Sequence, residues 1–459
     1  MKKLLKITFT LLIAVILTCT AAACGGKKSS SQENTDYKVN FNQSPTTLKG
    51  DLRVIIPDNE PERKKLGAWV AGFNEKYPMV NISLDTLNIS SYNSTIITQA
   101  QSEVLADIIW CNSSNYYFLI ANGVALNLDP FTAQAKEAGI FDINNDFAED
   151  FKTMGKYNGH LYAVARSLDS VVTFYNKDIL TAADVDMNTI ENGWSWETFM
   201  VACQKVRDYY DSNNQPKHYP LDANIGWESI GYPLIKSFGG EVLNSKGEFA
   251  LTEEVSNKVY DFIQTLIDKR FIPVKGDSTS NFESGTGAFL FQSASIDNYQ
   301  EKATTRGKFD VVSFPLINGN SSAIGNGFAG YAVNSAVAKD QNKLDIAAAF
   351  MSYLMSVEGQ QKMAKDGGLN LPSIRKELGA DNADSQWCAV YKDQFNVAAY
   401  TYGANMKVGM DFLSYAGADK ATTIVNALNT YTGTNCIDKT KAQAYKLFKG
   451  AIEDAFDEV

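Results

Sequence analysis

Apolar positions in the first third of the chain predict a regular alternation of strands and helices. The run LRVII at 52–56 has the length and continuity of a buried strand. A helix is then predicted to begin at Pro61, where the missing backbone N–H costs nothing, and to end before Pro78. Its predicted apolar face consists of Leu66, Trp69, Val70, Phe73 and Tyr77.

Two further strands complete this first pattern. Val80, Ile82 and Leu84 alternate with polar residues, as expected of a half-buried strand. A helix-compatible stretch follows and leads into the short apolar run 107–110. The order strand, helix, strand, helix, strand predicts an α/β sheet.

The middle of the chain is richer in predicted helices, and the α/β pattern then returns. Ser195 and Thr252 are each placed to cap a helix. Later segments predict strands at 309–314 and 330–337 and helices at 344–355 and 438–456. The return of strands after a helical middle indicates two lobes, between which the chain crosses more than once.

The first residues carry the pattern of an export signal. Lys2, Lys3 and Lys6 precede an apolar segment and a run of small residues that ends at Cys24. A cysteine in that place resembles a bacterial lipobox, which implies cleavage before Cys24 and lipid on its sulfur. The alternative is an uncleaved membrane anchor, since residues 7–23 are nearly long enough to span a bilayer. Either interpretation places the remaining chain outside the cytoplasm.

The export pattern also divides the start of the chain into two predicted segments. Residues 1–23 are predicted to be a signal peptide, and residues 24–49 a lipid-anchored flexible linker. The stretch 25–47 is polar and contains few apolar residues, a composition typical of a tether. We therefore expect the folded body to stand at the extracytoplasmic face of the cell membrane, held there by its lipid.

Composition narrows the range of possible ligands. Of the 459 residues, 45% are hydrophobic and 20% charged, as in ordinary globular proteins, and the formal net charge is −10. This charge argues against nucleic acid or an anionic membrane surface as the ligand. With His160 and His218 as its two histidines, the chain offers little for a histidine triad or a multi-histidine metal site. No phosphate-binding glycine motif follows the predicted strands, and we expect neither a metal nor a cofactor.

The cysteines that follow Cys24 match no zinc or redox spacing. They are expected to be small buried hydrophobes, although export would permit disulfides. They are Cys111, Cys203, Cys388 and Cys436.

One segment carries a family resemblance. Residues 157–178 read YNGHLYAVARSLDSVVTFYNKD, in which Asn158-Gly159 predicts a tight turn and 162–165 and 171–175 predict strands. The order of a YNG turn, a hinge crossing and a YNKD strand end resembles the extracellular solute-binding proteins of ABC importers, the maltose-binding-protein-like family 1. Further landmarks fit in the same order: GAWVAGFNEKYPMVNISL, ADIIWCNSSNYYFLIANGVALNLDPF, NGWSWETF, SFGGEVLN, SGTGAFLF, GFAGYAVNS and AAAFMSYLMSVEGQQ.

The resemblance implies the fold and the division into lobes. The expected fold class is α/β, a type II periplasmic-binding-protein-like fold of two α/β lobes with a hinge and an interlobe cleft. The N-terminal lobe would comprise 50–167 and 312–356, and the C-terminal lobe 168–311 and 357–459. Lobe crossings would fall near 166–170, 308–314 and 355–360. A monomer that meets a membrane permease is the expected assembly.

The family pattern also indicates which loops of the first lobe contact the ligand. Polar residues follow the first and third predicted strands, where ligands lie in open α/β sheets. The candidates are Asp58, Asn59, Glu60, Asn112, Ser114, Asn115 and Tyr116. For Asn and Ser at these places, capping of a turn or helix start is the competing interpretation.

The remaining candidates lie at the first lobe crossing and in the second lobe. Asp169 matches the place of an acid that accepts hydrogen bonds from ligand hydroxyls, with Arg166 beside it as its partner or as a ligand contact. Trp227 is a candidate for stacking on a sugar face, with core packing as the alternative. The other residues implied by the resemblance are Glu228, Tyr232, Ser295, Asn298, Asn326, Phe328 and Tyr415.

The function implied by the resemblance is reversible capture of a carbohydrate, an oligosaccharide in particular, for delivery to an ABC transporter permease. A binder of another solute, such as a peptide or a polyamine, on the same fold is the nearest alternative. An anchored glycoside hydrolase would need two carboxylates facing each other across a cleft, and Asp169 and Glu228 are candidates for them. No local motif marks either as catalytic, so we expect a binding protein and no enzyme.

Overall fold

The strands of the described residues form two main sheets, a small three-stranded sheet between them and a two-stranded antiparallel pair at residues 156–161. The computed structural model describes residues 36–113, 115–273, 282–369, 371–378 and 391–457. In chain order the strands are β1 (Gly50–Pro57), β2 (Val80–Leu87), β3 (Ile108–Asn112), β4 (Lys156–Tyr157), β5 (His160–Leu161), β6 (Ala163–Ala165), β7 (Asp169–Ser170), β8 (Val172–Asn176), β9 (Leu221–Asp222), β10 (Phe289–Gln292), β11 (Phe309–Ser313), β12 (Ile324–Gly327), β13 (Ala329–Val333) and β14 (Lys407–Val408).

Helices cover the faces of both main sheets. In chain order the α-helices are α1 (Glu60–Lys76), α2 (Tyr92–Gln101), α3 (Tyr116–Ala121), α4 (Asp129–Glu137), α5 (Ile143–Asp146), α6 (Lys177–Ala182), α7 (Trp196–Ser212), α8 (Glu228–Ser237), α9 (Glu253–Asp268), α10 (Asp297–Gln300), α11 (Gln341–Leu354), α12 (Val357–Lys365), α13 (Ala418–Thr432) and α14 (Lys441–Asp457). Short 3₁₀ turns connect several of them. None of the helices in the described ranges is long and apolar enough to cross a membrane.

The first sheet has the order β2-β1-β3-β13-β6 and forms the core of the first lobe. Strands β1, β2 and β3 run parallel, and β13 is antiparallel to both β3 and β6. Helix α1 covers one face of this sheet, and the indole of Trp69 stacks on Phe350 of α11 with ring centroids 3.9 Å apart. The predicted strand–helix–strand pattern is confirmed here. Strand β1 is longer than the predicted strand 52–56, by two residues at its start and one at its end.

The second sheet has the order β11-β8-β10-β9 and forms the core of the second lobe. Both predicted caps are present in the second lobe, because Ser195 Oγ accepts a hydrogen bond from Thr198 N (3.1 Å) and Thr252 Oγ1 accepts one from Val255 N (3.3 Å). The helices that they cap, α7 and α9, meet through Trp196 and Phe262, whose ring centroids lie 4.4 Å apart.

The small sheet, β14-β12-β7, lies where the chain passes between the lobes. The first crossing runs from β6 through β7 to β8, and the second returns from β11 through β12 to β13. Asn326 and Gly327 of β12 pair with Ser170 and Asp169 of β7, so the two crossings are hydrogen-bonded to each other. This pairing places Asp169 at the junction of the lobes, as the resemblance implied.

Two of the expected crossing points are wrong. Residues 309–313 belong wholly to the second sheet, where β11 pairs with β8, so the second crossing lies at 314–328 and not at 308–314. Helix α12, expected in the C-terminal lobe, remains with the first lobe. Its Lys362 Nζ lies 3.2 Å from Glu75 Oε1 of α1, and Gln360 donates to the backbone oxygen of Arg166 at 3.1 Å.

The third crossing is correspondingly later than 355–360. Leu168 N donates to Pro372 O, and Ala148 N donates to Ile374 O, both within the first lobe. Tyr391 then donates to Asp297 Oδ1 of the second lobe at 2.7 Å. Residues 371–378 therefore belong with the first lobe, and Tyr391 with the second.

The predicted flexible linker 24–49 is also too long, because its second half packs on the first lobe. The ring of Tyr37 is buried, and its hydroxyl donates to Asn127 O (2.8 Å) and accepts from Phe131 N (3.3 Å). Asn40 N and Gln43 Nε2 donate to the buried carboxylate of Asp345 at 2.9 and 2.7 Å. Residues 24–35, with Cys24, lie outside the described residues.

The thiols of Cys111, Cys203 and Cys436 are free and buried, as expected of small hydrophobes. Burial raises the pKa of the Cys436 thiol to about 11 and those of the other two further. Cys388 lies outside the described residues.

Replacement of Asp345 by alanine tests the attachment of the N-terminal stretch. Its carboxylate accepts from Asn40, Gln43 and Gln341, so we expect Asp345→Ala to lower the free energy of unfolding by about 2 kcal/mol in urea denaturation. Asp454→Ala, at an exposed position on α14, is the matched control and should change it by less than about 0.5 kcal/mol. Equal effects of the two variants would contradict the attachment.

Candidate functional site

Four charged side chains meet at the floor of the cleft between the lobes. Arg166, on the first crossing, is 6% exposed and forms an ion pair with Glu62 of α1. Lys65 lies one turn further along α1, with its Nζ 3.4 Å from Glu62 Oε1. The fourth member, Asp169, accepts a hydrogen bond from Ser167 Oγ. We call Glu62, Lys65, Arg166 and Asp169 the charge cluster.

The environment of the charge cluster shifts the pKa values of its two carboxyl groups in opposite directions. Burial works to raise the pKa of Glu62, but the positive charges of Arg166 and Lys65 outweigh it and hold that pKa below its usual range. For Asp169, burial dominates and raises the pKa in spite of Arg166 and the hydrogen bond from Ser167. Burial also lowers the pKa of Lys65, which attraction to Glu62 offsets only in part. Asp169 is therefore the member that takes up a proton more readily as the pH falls.

Helix α1 is positioned so that its first turn supplies two members of the cluster. Asn59 caps this helix, since its Oδ1 accepts from Glu62 N at 2.8 Å, and Pro61 occupies the first turn. The cap fixes the point at which the helix starts. Glu62 and Lys65, three residues apart, then share the face that points to the crossing.

A cavity of about 690 Å³ lies between the two lobes above the charge cluster. We call it the main cavity. Its wall in the first lobe includes Asn93, Trp110, Asn112, Ser113, Phe328 and the cluster residues. Its wall in the second lobe includes Trp227, Glu228, Glu283, Gln292, Ser293, Ser295, Asn298, Thr422, Asn426 and Asn429.

Four polar atoms in the lining of the main cavity are buried and have no hydrogen-bond partner. They are Nε1 of Trp110, Nε of Arg166, Oγ of Ser295 and Oδ1 of Asn429. Buried polar groups in proteins are nearly always satisfied, by protein, water or ligand. Two donors, one acceptor and one hydroxyl that can do both are thus without a partner within the described protein, and they belong to lining residues of both lobes.

The two lobes touch at one edge of the main cavity. Ser113 Oγ, at the end of β3, donates to Glu228 Oε1, at the start of α8, at 2.8 Å. Asn429 Nδ2 donates to the other carboxylate oxygen of Glu228 at 3.2 Å. Beyond this contact lies a second cavity of about 380 Å³, which we call the side cavity.

Most of the predicted ligand contacts do line one of the two cavities. Their contact with a ligand remains a prediction. In the main cavity are Asn112, Arg166, Asp169, Trp227, Glu228, Ser295, Asn298 and Phe328. In the side cavity are Tyr116, Tyr232 and Asn326, again with Glu228 and Phe328.

Other predicted contacts have structural roles or lie elsewhere. Asn59 is the cap of α1, Asp58 is exposed in an ion pair with Arg63, and Glu60 is exposed at the helix start. These three line neither cavity, because the capped helix turns them away from the cleft. Capping, the competing interpretation for this loop, holds for Asn59.

In the loop after β3, too, some predicted ligand contacts have a structural role instead. Asn112 and Asn115 exchange hydrogen bonds between side chain and backbone, and Asn115 Nδ2 also donates to Asn93 Oδ1 at 3.0 Å. Asn115 is thereby buried behind the main cavity and does not line it. Tyr415 is 49% exposed and lines neither cavity. Ser114 lies outside the described residues.

Sequence reasoning missed Glu62, Lys65, Trp110, Asn426 and Asn429. Charges in the first turns of a helix are usually solvated, and nothing local distinguishes Glu62 and Lys65 from that case. A pair of asparagines three apart on α13 is likewise without a motif. In each pair the two residues are three positions apart, which places them on the same helix face. That spacing was the available signal, but it does not show whether the face lines a cavity or meets solvent.

The described residues contain no group of three or more His, Cys, Asp or Glu side chains arranged to hold a metal ion. The site is instead a cleft between two α/β lobes, joined by paired crossing strands and lined from both sides by polar atoms. That arrangement defines a two-lobed protein that binds a small ligand between its lobes.

Comparison with known proteins identifies the family. Residues 68–389 match the family model described as bacterial extracellular solute-binding protein, and the chain belongs to that family. The predicted family and fold class are both confirmed. An arabinooligosaccharide-binding protein of Bacillus subtilis (strain 168) is 22% identical over 275 residues, which cover 58% of this chain. The match spans about half (55%) of the length of that relative.

Solved structures share the fold at low sequence identity. The GacH receptor of Streptomyces glaucescens, solved unliganded and with acarbose, is 17% identical with a TM-score of 0.70, covering 90% of this chain and 99% of that one. An ABC substrate-binding protein of Listeria monocytogenes, in complex with cycloalternan, is 17% identical with a TM-score of 0.71 and coverages of 89% and 99%. UgpB of Mycobacterium tuberculosis, in complex with glycerophosphocholine, is 15% identical with a TM-score of 0.71 and the same coverages.

A double-mutant cycle tests the charge cluster. Arg166→Met leaves the buried carboxylate of Glu62 with Lys65 alone, so we expect a loss of about 3–5 kcal/mol in the free energy of unfolding. Adding Glu62→Gln removes the stranded charge. The double variant should therefore lose less than the sum of the two single losses, by at least about 1 kcal/mol in urea denaturation. Strictly additive losses would contradict the buried ion pair.

Proposed function

We propose that this protein captures a carbohydrate, an oligosaccharide in particular, in the main cavity and delivers it to the permease of an ABC transporter. The observation that carries this proposal is the set of unpartnered polar atoms in the lining. A sugar hydroxyl both donates and accepts, as a serine hydroxyl does, so a polyhydroxylated molecule can satisfy Trp110 Nε1, Arg166 Nε and Asn429 Oδ1 together.

The rings in the lining support the same ligand class. Trp227 and Phe328 are only partly buried and stand among polar side chains at the main cavity. A sugar combines hydroxyls with an apolar C–H face, and a flat ring beside hydrogen-bonding groups suits both. The ligands of two structural relatives, acarbose and cycloalternan, are carbohydrates, as are the oligosaccharides after which the arabinooligosaccharide-binding protein is named.

The same fold holds glycerophosphocholine in the Mycobacterium tuberculosis protein, so the fold alone does not select a sugar. The residues that line the main cavity decide which class of ligand it binds. Glu62, Asp169, Glu228 and Glu283 contribute carboxyl groups to the lining of the main cavity, while Lys65 and Arg166 contribute positive charge. The lining thus combines both charge signs with many neutral amides and hydroxyls, which suits a polyhydroxylated ligand that both donates and accepts hydrogen bonds.

A binding screen tests the ligand class. Purified protein should be stabilised against thermal unfolding by oligosaccharides, with the shift rising as the logarithm of ligand concentration above the dissociation constant. Arabinooligosaccharides, maltooligosaccharides, glycerophosphocholine, a polyamine and a mixed peptide library are the probes. Stabilisation by the polyamine or peptides alone would overturn the carbohydrate proposal in favour of its nearest alternative. Shorter products after incubation with glycans would indicate a hydrolase.

One variant tests by calorimetry where in the cleft the ligand binds. Asn429→Ala removes a buried acceptor from the main cavity, and we expect calorimetry to show a loss of about 1–3 kcal/mol in oligosaccharide binding. Asn257→Ala, on α9 and away from both cavities, is the matched control and should bind as the unaltered protein does. Unchanged affinity in Asn429→Ala would place the ligand outside the main cavity.

The proposal includes a lipid anchor at Cys24 after removal of residues 1–23. The described part of the body begins its packing at Tyr37, well after that cysteine. We expect Cys24→Ala to move the protein from the membrane fraction to the soluble fraction while its oligosaccharide affinity stays the same, because the binding residues lie in the folded body. Fractionation and calorimetry measure the two effects. A protein that remains at the membrane would favour the uncleaved anchor.

A further inference from the structure

The side cavity has the composition of a second sugar-binding compartment. Tyrosine and phenylalanine rings form much of its wall: those of Tyr116, Tyr117, Tyr157, Tyr232 and Phe328. The rings of Tyr116 and Phe328 lie 5.3 Å apart, and those of Tyr117 and Tyr157 lie 6.0 Å apart. At about 380 Å³, the volume lies within the range of small-molecule sites.

Polar groups stand among these rings. Asn326 Oδ1 is buried, has no hydrogen-bond partner and belongs to a residue of the side-cavity wall. The side chain of Lys407 is 5% exposed, and its Nζ lies 3.6 Å from Asp150 Oδ2. Both residues of this pair line the cavity. An acceptor without a partner and a half-buried ion pair beside aromatic faces resemble the polar and aromatic lining of the main cavity.

The two cavities meet at a constriction built from both lobes. Ser113, Glu228, Gly327 and Phe328 line both of them. The hydrogen bond from Ser113 Oγ to Glu228 Oε1 closes this constriction from one lobe to the other. A ligand hydroxyl that passed between the two side chains could donate to Glu228 and accept from Ser113, so the exchange would conserve hydrogen bonds.

We propose that the two cavities hold one elongated oligosaccharide, which replaces the Ser113–Glu228 hydrogen bond at the constriction and rests its far end on the rings of the side cavity. This inference rests on the proposed function and deepens it. The main cavity recognises a short sugar, and the side cavity selects for chain length. The preferred ligand is then an oligosaccharide too long for the main cavity.

A cavity-filling variant tests the proposal. Gly409 lines the side cavity, and a Cβ built on it would meet only Asp411 Oδ1, at the ordinary contact distance of 3.7 Å. The added Cβ of Gly409→Phe therefore overlaps no backbone atom, and the variant is designed to place its ring in the side cavity. Gly450→Phe is the matched control, because Gly450 lies on α14 with no atom within 4 Å of its added Cβ. Calorimetry with arabinooligosaccharides and maltooligosaccharides, from disaccharide to hexasaccharide, measures both variants and the unaltered protein.

The unaltered protein and Gly450→Phe should bind the longer members of one series at least about tenfold more tightly than its disaccharide. Gly409→Phe should lose that gain and keep the disaccharide affinity. Affinity independent of length, or a length gain that survives Gly409→Phe, would overturn the elongated-ligand inference and leave carbohydrate binding in the main cavity intact. Absence of binding at every length and in both series would overturn the proposed function, and this inference with it.

Discussion

The cleft depends on four charges buried where the chain first crosses between the lobes. Glu62 and Lys65 come from the capped start of α1, while Arg166 and Asp169 belong to the crossing itself. Two positive and two negative groups neutralise each other, which is the condition under which charges can be buried at acceptable cost. Because β7 pairs with β12, the cluster also fixes the second crossing, and with it Asn326 and Phe328. All four charges line the main cavity, so its floor depends on this one arrangement of charges.

The charge cluster is buried, whereas contacts at the edges of the cleft are partly exposed to solvent. Direct contacts between the lobes include the packing of helix α3 on helix α13, the exposed ion pair of Lys64 with Glu301, and single hydrogen bonds at the edges. Ser113 with Glu228 and Tyr157 with the backbone oxygen of Ala416 form two of these hydrogen bonds. A ligand bound between the lobes can replace such bonds, whereas it cannot replace a buried ion pair without stranding a charge. Hinge movement is therefore expected to open the edges and preserve the floor. The energy available to a ligand is the difference between the contacts it makes with both lobes and the edge contacts it displaces.

Local sequence patterns were sufficient to predict the helices and strands. The features that they missed depend on contacts between residues far apart in the sequence. Helix α1, its boundaries near Pro61 and Pro78, and the caps at Ser195 and Thr252 all follow from residues within one turn of each other. Glu62 and Arg166, in contrast, are 104 residues apart, and no local signal distinguishes a buried ion pair from two solvated charges. The third lobe crossing was misplaced for the same reason, because the packing of α12 on α1 is decided in three dimensions. Asp169 and Trp227, which the family resemblance indicated as ligand contacts, line the main cavity, and their contact with a ligand remains a prediction. A family resemblance carries three-dimensional information that composition lacks.

The N-terminal stretch shows how a polar sequence can still be fixed. Tyr37 and Leu48 supply buried apolar area, and between them the backbone of Asn40 and the side chain of Gln43 reach the carboxylate of Asp345. These contacts, with Asn127, Phe131 and Asp345, are all to elements of the first lobe. An anchor that precedes Tyr37 would therefore be attached to the first lobe, and closure would move the second lobe relative to it. Since that attachment shares no residue with the crossings or the cavities, ligand binding and anchoring can act independently in one chain.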